Sequence, residues 1–339
     1  MAKVLITGVC GFVGSHLACL LYEEGHEVIG VDLSTKTRNV KLNQLIEENK
    51  VKVVSGNLLE FDFSVIGDDI DYIYQIAGKV SVWGDINEFN KINVDGTKKI
   101  LDYAKQIQAK CVVYLSSTAV YGYYNYTDLK EEDEKRPMNN PYPLSKLKAE
   151  TMVMEYCNQI KQNYVIVRPG NVYGEYDMTS SYDIYRMIQK QKMPVIDKGK
   201  YKSCFVYVKN LVKGIYQASI TPEAYNEDYN LTDGYGETLK EYFTYVAQAL
   251  EVKPKFTSVP SFLSKILATT VETFYRIFKI KTMPLITMFS VLQNSGHYHF
   301  SIEKAQKAFN YSPKFTLEQG TKNTAEWFKT QPNNIKVKR

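Results

Sequence analysis

The stretch Met1-Ala2-Lys3-Val4-Leu5-Ile6-Thr7-Gly8-Val9-Cys10-Gly11-Phe12-Val13-Gly14-Ser15 opens the chain. Val4 to Ile6 is a short apolar run of branched residues, the pattern of a buried parallel strand. Glycines come at 8, 11 and 14, and then Leu17, Leu20 and Leu21 recur at helical spacing. Strand, glycine turn and helix in that order form the entry to a dinucleotide-binding βαβ unit. Gly8 can take a backbone conformation closed to other residues. Gly11 lets the main chain approach a pyrophosphate, and Gly14 lets the helix pack close to the strand. Phe12 and Val13 bring the first N–H groups and the positive end of the helix dipole to the phosphates. The spacing is G-x-x-G-x-x-G rather than G-x-G-x-x-G, so the glycines alone are also compatible with a tight turn that holds no ligand.

The next strand supports the ligand. Glu27-Val28-Ile29-Gly30-Val31-Asp32 reads as a second strand ending in an acid, 18 residues after Gly14. That is where a carboxylate should accept hydrogen bonds from the adenosine ribose. An acid there repels a 2′-phosphate, which favours NAD over NADP; Lys36 and Arg38 just beyond it read as loop charges. Val51-Lys52-Val53-Val54-Ser55-Gly56-Asn57-Leu58 is a third strand and its exit. Asn57 either bonds the adenine edge, with Leu58 packing on the ring, or caps a turn. Tyr72-Ile73-Tyr74-Gln75-Ile76-Ala77-Gly78 is the fourth strand, with Ala77 and Gly78 small where phosphates and ribose should pass.

The 339 residues suffice for a large core, and 44% apolar with 23% charged residues is ordinary for a globular protein. Of the net charge of +5, three units belong to Lys336, Lys338 and Arg339 in the tail. The remaining +2 does not support a nucleic-acid surface. The five cysteines, at 10, 19, 111, 157 and 204, read as reduced, buried, small apolar residues of a cytoplasmic protein. His16, His26, His297 and His299 give no metal set. A strand beginning almost at Met1 leaves no room for a signal peptide.

Residues 89–104 read as a helix carrying Asn93. Cys111-Val112-Val113-Tyr114-Leu115-Ser116-Ser117-Thr118 is a fifth strand running into hydroxyl residues, which face the ligand crevice at the carboxyl end of a parallel sheet. The acidic run Glu131-Glu132-Asp133-Glu134 in the loop 123–140 reads as a solvated face. A helix then opens at Tyr142 and runs through Lys161, and Tyr142 and Lys146 stand one turn apart on one face. A free tyrosine titrates near about 10, too high for a base at neutral pH. A neighbouring ammonium and a positive nicotinamide ring would lower it. Tyr164-Val165-Ile166-Val167-Arg168-Pro169-Gly170-Asn171-Val172-Tyr173-Gly174 is the sixth strand and its exit. The alternation of strand and helix predicts a doubly wound parallel α/β sheet, a Rossmann fold, with a smaller C-terminal unit. The expected boundaries are 1–172 with 205–231 for NAD binding, 173–204 with 232–330 for substrate, and 331–339 as a basic tail. Residues 261–279 carry Phe262, Leu263, Ile266, Leu267, Val271, Phe274, Tyr275 and Phe278 at three- and four-residue spacing. This amphipathic helix is interrupted by Lys265, Glu272 and Arg276, so it is not a transmembrane span. It reads as a core-packing helix, as a lid over an apolar substrate, or as a patch resting on a membrane surface.

With these residues in place, nearly the whole chain resembles the extended short-chain dehydrogenase/reductase superfamily, of the NAD-dependent epimerase/dehydratase type. Thr7-Gly8-x-x-Gly11-Phe12-x-Gly14, Asn93-Val94-x-Gly96-Thr97, Ser116-Ser117-x-x-Val120-Tyr121-Gly122, Tyr142-x-x-x-Lys146 and Arg168-Pro169-x-Asn171-Val172-Tyr173-Gly174 match its motifs in order. The resemblance implies Tyr142 as acid/base, Lys146 as its partner and a ribose ligand, and Ser117 as the donor that orients the substrate oxygen. It further implies Asn93 as support for the lysine through a backbone or water link, and Pro169 and Val172 beside the cofactor. Homodimerisation through helices 89–104 and 145–161 would be in keeping with the superfamily.

Many members act on nucleotide sugars and carry an arginine for the diphosphate before the strand at 205–208. This chain has Ser203-Cys204 there. Phe205-Val206-Tyr207-Val208-x-Asn210 and the later Pro284-Leu285-Ile286-Thr287, His297-Tyr298-His299-Phe300-Ser301 and Lys304-Ala305 are instead similar to the 3β-hydroxysteroid dehydrogenase branch. Gln75 stands where many relatives have histidine. The expected function is therefore NAD-dependent interconversion of a secondary alcohol and ketone on a steroid-like or lipidic small molecule. The alternative is a nucleotide-sugar epimerase or dehydratase with tightly held NAD, in which Asn171 would meet the diphosphate. A catalytically silent dinucleotide sensor would not need Ser117, Tyr142 and Lys146.

Overall fold

In the computed structural model, which describes residues 1–332, seven parallel strands form the central sheet. From one edge they run Glu227–Leu231, Tyr164–Pro169, Cys111–Leu115, Tyr72–Gln75, Lys3–Thr7, Glu27–Asp32 and Val51–Ser55. Lys3–Thr7 lies inside the sheet, with Leu5 opposite Ile29 on one side and Ile73 on the other. Alternation along this strand explains why its apolar run is unbroken. Val4 and Ile6 pack with Leu17, Leu21, Leu211 and Ile215, from the helices Phe12–Glu23 and Val208–Ile220. Leu5 packs on the other face with Ile100, Leu101, Ala149 and Val153, from the helices Gly96–Ile107 and Pro141–Ile160. Helices cover both faces, as a doubly wound sheet requires.

The sheet brings the carboxyl ends of Lys3–Thr7, Tyr72–Gln75, Cys111–Leu115 and Tyr164–Pro169 to one edge of the molecule. Strand order reverses there, because the chain crosses from Val51–Ser55 at one edge back to Tyr72–Gln75. Ligand crevices of open α/β sheets form at this kind of switch point. Smaller parallel pairs lie beyond it: Asn171–Tyr173 with Phe205–Tyr207, Met193–Ile196 with Phe256–Val259, and Tyr126–Leu129 with Tyr298–Phe300.

Four expectations need correction. The helix expected at 89–104 is longer and irregular: Ile86–Asn90 and Gly96–Ile107 are α-helical, and Lys91–Asp95 between them is a π-helical turn. The acidic run is not uniformly solvated. Glu131 is buried, because the chain turns at Lys130–Asp133 and aims its carboxylate inward, where Oε1 accepts the Asn230 N–H at 2.8 Å. Cys10 is only half-buried, beside the cleft described below, while the other four thiols are buried; all five are free. Lastly, the helix Ser261–Ile277 is not a core helix. Only Ser264 and Ala268 are buried on it, and its large apolar residues face outward. The tail charges Lys336, Lys338 and Arg339 lie outside the described residues. Among the described residues no helix is long and apolar enough to cross a membrane, and no cluster of His, Cys, Asp or Glu could hold a metal.

Candidate active site

A cleft of about 1240 Å³ opens along the carboxyl edge of the sheet. The glycine turn forms its floor. Gly8 has φ +69°, and a Cβ there would lie 2.9 Å from the backbone of Ala77. At Gly14 a Cβ would strike the Gly8 carbonyl, so the third glycine serves contact between helix and turn. Gly11 precedes the helix Phe12–Glu23, whose first turn has no side-chain cap. Its N–H groups and dipole are therefore left to a ligand. Asp32 clamps the turn: Oδ2 accepts the Cys10 N–H at 2.9 Å and Oδ1 the Leu33 N–H at 2.7 Å. Gly8, Gly11, Phe12, Val13, Gly14, Asp32, Asn57, Leu58, Ala77 and Gly78 all line the cleft, and Lys36 and Arg38 do not. Asn57 also makes a turn, accepting the Leu59 N–H through Oδ1 at 3.2 Å.

Ser117, Tyr142, Lys146, Pro169, Asn171 and Val172 line the same cleft. Pro141 at the first helical turn, with Asn140 accepting the Tyr142 N–H at 3.1 Å, starts the helix Pro141–Ile160 so that Tyr142 and Lys146 face inward. The Lys146 ammonium donates to the Leu115 carbonyl at 2.7 Å and lies 5.1 Å from the centre of the Tyr114 ring. Burial pushes its pKa down to about 8, opposed by the Glu150 carboxylate one turn on. Burial pushes the Tyr142 phenol above the ordinary tyrosine range, and only its hydrogen bond with Ser117 pulls the other way. The expected lowering belongs to the cofactor-bound state, in which a positive nicotinamide ring stands beside the phenol. Asn171 reaches the cleft with its amide committed, donating to Ser203 Oγ at 2.9 Å and accepting from Gln293 Nε2 at 2.7 Å.

Asn93 stands apart. It is buried in the π-helical turn and does not line the cleft. Its Oδ1 accepts the Lys79 N–H at 2.7 Å, and its Nδ2 donates to the Lys79 carbonyl at 3.2 Å and to Ser145 Oγ at 2.9 Å. Ser145 Oγ in turn donates to the Tyr142 carbonyl at 2.8 Å. Asn93 thus steadies the start of the Tyr142 helix and the Gly78–Lys79 wall, and a Cβ at Gly78 would meet both Asn93 Oδ1, at 3.1 Å, and the Lys146 ammonium, at 3.3 Å. Gln75 sits behind the wall, accepting from Thr7 Oγ1 at 2.6 Å and donating to Thr97 Oγ1 at 3.2 Å.

Sequence reasoning missed a buried charge cluster directly behind the site. Arg168 is fully buried, and its guanidinium donates to Glu150 through Nε at 3.0 Å and Nη2 at 2.9 Å, and to Tyr121 Oη at 2.7 Å. Asp228 pairs with the same Nη2, and Ser116 Oγ donates to Glu150. Burial opposes the Arg168 charge, but Glu150, Tyr121 and Asp228 outweigh it and hold its pKa up. The signal available was Glu150 four residues after Lys146, together with an arginine inside an otherwise apolar strand.

The motif constellation and the nucleotide cradle are matched by a family model, NAD dependent epimerase/dehydratase, over residues 4–232. The chain belongs to this family. Its relatives include a Bacillus subtilis protein named an uncharacterized UDP-glucose epimerase, YtcB, which is 29% identical over 248 residues, 68% of this chain and 76% of that one. The 2-alkyl-3-oxoalkanoate reductase of Shewanella oneidensis is 24% identical over 340 residues, 95% of this chain and 85% of that one. Among solved structures, a UDP-glucuronic acid 4-epimerase from Bacillus cereus in complex with NAD superposes with a TM-score of 0.78 at 20% identity, covering 96% of this chain and 98% of that one. These likenesses support the Rossmann fold and the epimerase/dehydratase family of enzymes. They do not bring out the narrower resemblance to 3β-hydroxysteroid dehydrogenases.

Proposed function

We propose that the chain is an NAD-dependent oxidoreductase that interconverts a secondary alcohol and a ketone on an apolar substrate. The carrying observation is the makeup of the cleft's outer half. Val195, Ile196, Phe205, Phe243, Leu267, Ile286 and Phe289 line it, and the cations among the lining residues are Lys79 and Lys146, both beside the cofactor cradle. A nucleoside diphosphate carries two charges that need fixed cations or several donors. Among the described residues the lining holds no arginine, so donors to a diphosphate would have to come from Asn171, Thr179, Ser180, Gln293 and Asn294, whereas the apolar wall buries a hydrocarbon skeleton at roughly 25 cal/mol per Å².

The residues present fit NAD, because the uncapped helix start, the glycines and Asp32 form a cradle with no side chain in the way. When bound, NAD supplies the hydride acceptor. Ser117 would donate to the substrate oxygen, Tyr142 would take the hydroxyl proton, and Lys146 would hold ribose hydroxyls and favour the phenolate. Tyr142→Phe should then lower turnover by at least about 10³-fold, within the range of acid–base catalysis, and leave NAD affinity within about twofold of the parent. Full activity in that variant, measured as NADH formation, would sink the mechanism.

The relatives' names favour a second reading, a nucleotide-sugar epimerase or dehydratase that returns the hydride to the same substrate. The apolar reading rests on the lining of the cleft alone, much of whose outer wall comes from residues 239–294, and proteins named as nucleotide-sugar epimerases match over that part of the chain as well. Thermal stabilisation by NAD, with and without UDP-glucose, dTDP-glucose or long-chain 3-oxo and 3-hydroxy compounds, separates the two. Additional stabilisation by the sugar nucleotides alone would give the second reading precedence.

A further inference from the structure

We propose that the helix Ser261–Ile277 and the turn after it form a docking face for an anionic lipid surface. The helix is amphipathic in the reverse sense to a core helix. At 100° per residue, Phe262, Leu263, Ile266, Leu267, Phe274, Ile277 and Phe278 fall within one arc of about 160°. Every one of them is exposed, Phe262 and Ile266 at 61%, Phe278 at 63% and Ile277 at 69%. The face turned to the protein carries the small residues Ser264 and Ala268. Tyr275 anchors the far end against Trp83, with ring centroids 6.1 Å apart, and Trp83 Nε1 donates to the Ile280 carbonyl at 3.2 Å. The helix is therefore held firmly while its bulky residues point away from the fold. A contiguous exposed apolar patch of this kind marks an interaction surface.

Charge selects the occupant. Lys265 and Arg276 lie together beyond one edge of the arc, Arg276 over the Trp83 ring at 5.8 Å, and Lys279 and Lys281 come just after the helix, all exposed. The segment's carboxylate, Glu272, points inward to the Met288 N–H at 2.7 Å and is 3.6 Å from Arg276. Four cations bordering an apolar arc with no outward acid match a bilayer of anionic phospholipid, with the bulky residues in the acyl boundary and the cations among the headgroups. The docking face is independent of the substrate, so it and the assigned reaction stand or fall separately.

The test is sedimentation of the full chain with phosphatidylcholine vesicles and with vesicles of phosphatidylcholine and phosphatidylglycerol at 7:3. Binding to the mixed vesicles should exceed binding to the neutral ones by on the order of tenfold and weaken as salt is raised. The variant Ile266→Asp/Ile277→Asp, whose two sites lie outside the cleft, should lose at least about a hundredfold in partition. It should keep the parent's thermal shift with NAD, which shows that it is folded. A full chain that stays in the supernatant with both vesicle types overturns the proposal. So does a concentration-dependent dimer in analytical ultracentrifugation that the same variant abolishes, since a second copy would then be what covers the face.

Discussion

Lys146→Met should raise the stability of the protein at neutral pH while removing its activity. Methionine has nearly the length of lysine and carries no charge. The cost it relieves comes from the buried ammonium, whose pKa falls from 10.5 to about 8. At 1.36 kcal/mol per unit, holding the proton inside the fold costs about 3 kcal/mol near pH 7. Against this stands the charged hydrogen bond to the Leu115 carbonyl at 2.7 Å, whose loss costs about 1.5–3 kcal/mol. The net gain is about 0–1.5 kcal/mol. A chain of this length unfolds with about 0.7 kcal/mol per kelvin of entropy, so the melting temperature should rise by up to roughly 2 °C at pH 7. The pH dependence makes the claim specific. Between about 8 and 10.5 the unfolded lysine is protonated and the folded one is not, so the parent gains stability as pH rises through that window and the variant does not. The advantage of the variant should therefore be full below pH 8 and shrink toward pH 10. Differential scanning calorimetry of both proteins at pH 7, 8.5 and 10 reads it. A variant less stable than the parent at pH 7, or an advantage unchanged at pH 10, would refute the reasoning.

Glu150→Gln should cost about 3–5 kcal/mol, because it leaves the buried Arg168 with Asp228 as its remaining carboxylate. At the same entropy the melting temperature falls by roughly 4–7 °C. The same change removes the charge that props up Lys146, so the alkaline limb of the pH–activity profile should move to lower pH; a limb that stays in place breaks the proposed coupling. Gly14→Ala should abolish NAD-dependent thermal stabilisation, since the added methyl collides with the Gly8 carbonyl at the cradle. A variant that binds NAD normally by isothermal titration calorimetry would show that the turn can move aside.

The fold is legible in the sequence where one local constraint acts. Val4 to Ile6 reads as a strand because both faces of it are covered, and the glycine turn reads as a turn because Gly8 and Gly14 sit where no side chain fits. Tyr142 and Lys146 are neighbours by helical geometry alone, and a proline and an asparagine mark the start of their helix. What the sequence leaves hidden shares a different cause. Asn93 is expected to support Lys146 through a backbone or water link; its direct partners are Lys79 and Ser145, and only the fold decides which of several nearby polar groups an amide meets. Glu131 reads as solvated until Asn230, 99 residues away, supplies the N–H that takes it inside. The Tyr142 phenol is expected to be lowered by the lysine one turn later together with a nicotinamide ring; burial, which pushes it up in the chain alone, is not visible in the sequence. The helix at 261–277 has an unambiguous apolar stripe, and a stripe does not say whether it faces in or out.

That last ambiguity bears on the substrate. Leu267 and Leu285 are both exposed and both line the cleft, so the outward apolar face and the apolar wall of the outer half are one continuous surface. A molecule that dissolves poorly in water could move along it from a lipid layer to Ser117 and Tyr142 without being fully hydrated on the way. Each transfer would cost far less than the roughly 0.8 kcal/mol per methylene that crossing into water demands. A sugar nucleotide, well hydrated and doubly charged, gains nothing from such a path. The apolar substrate and the lipid-facing helix share Leu267 but rest otherwise on separate residues, Ile196, Phe243 and Phe289 for one and Phe262, Ile266 and Ile277 for the other, so each can be tested at residues the other does not use.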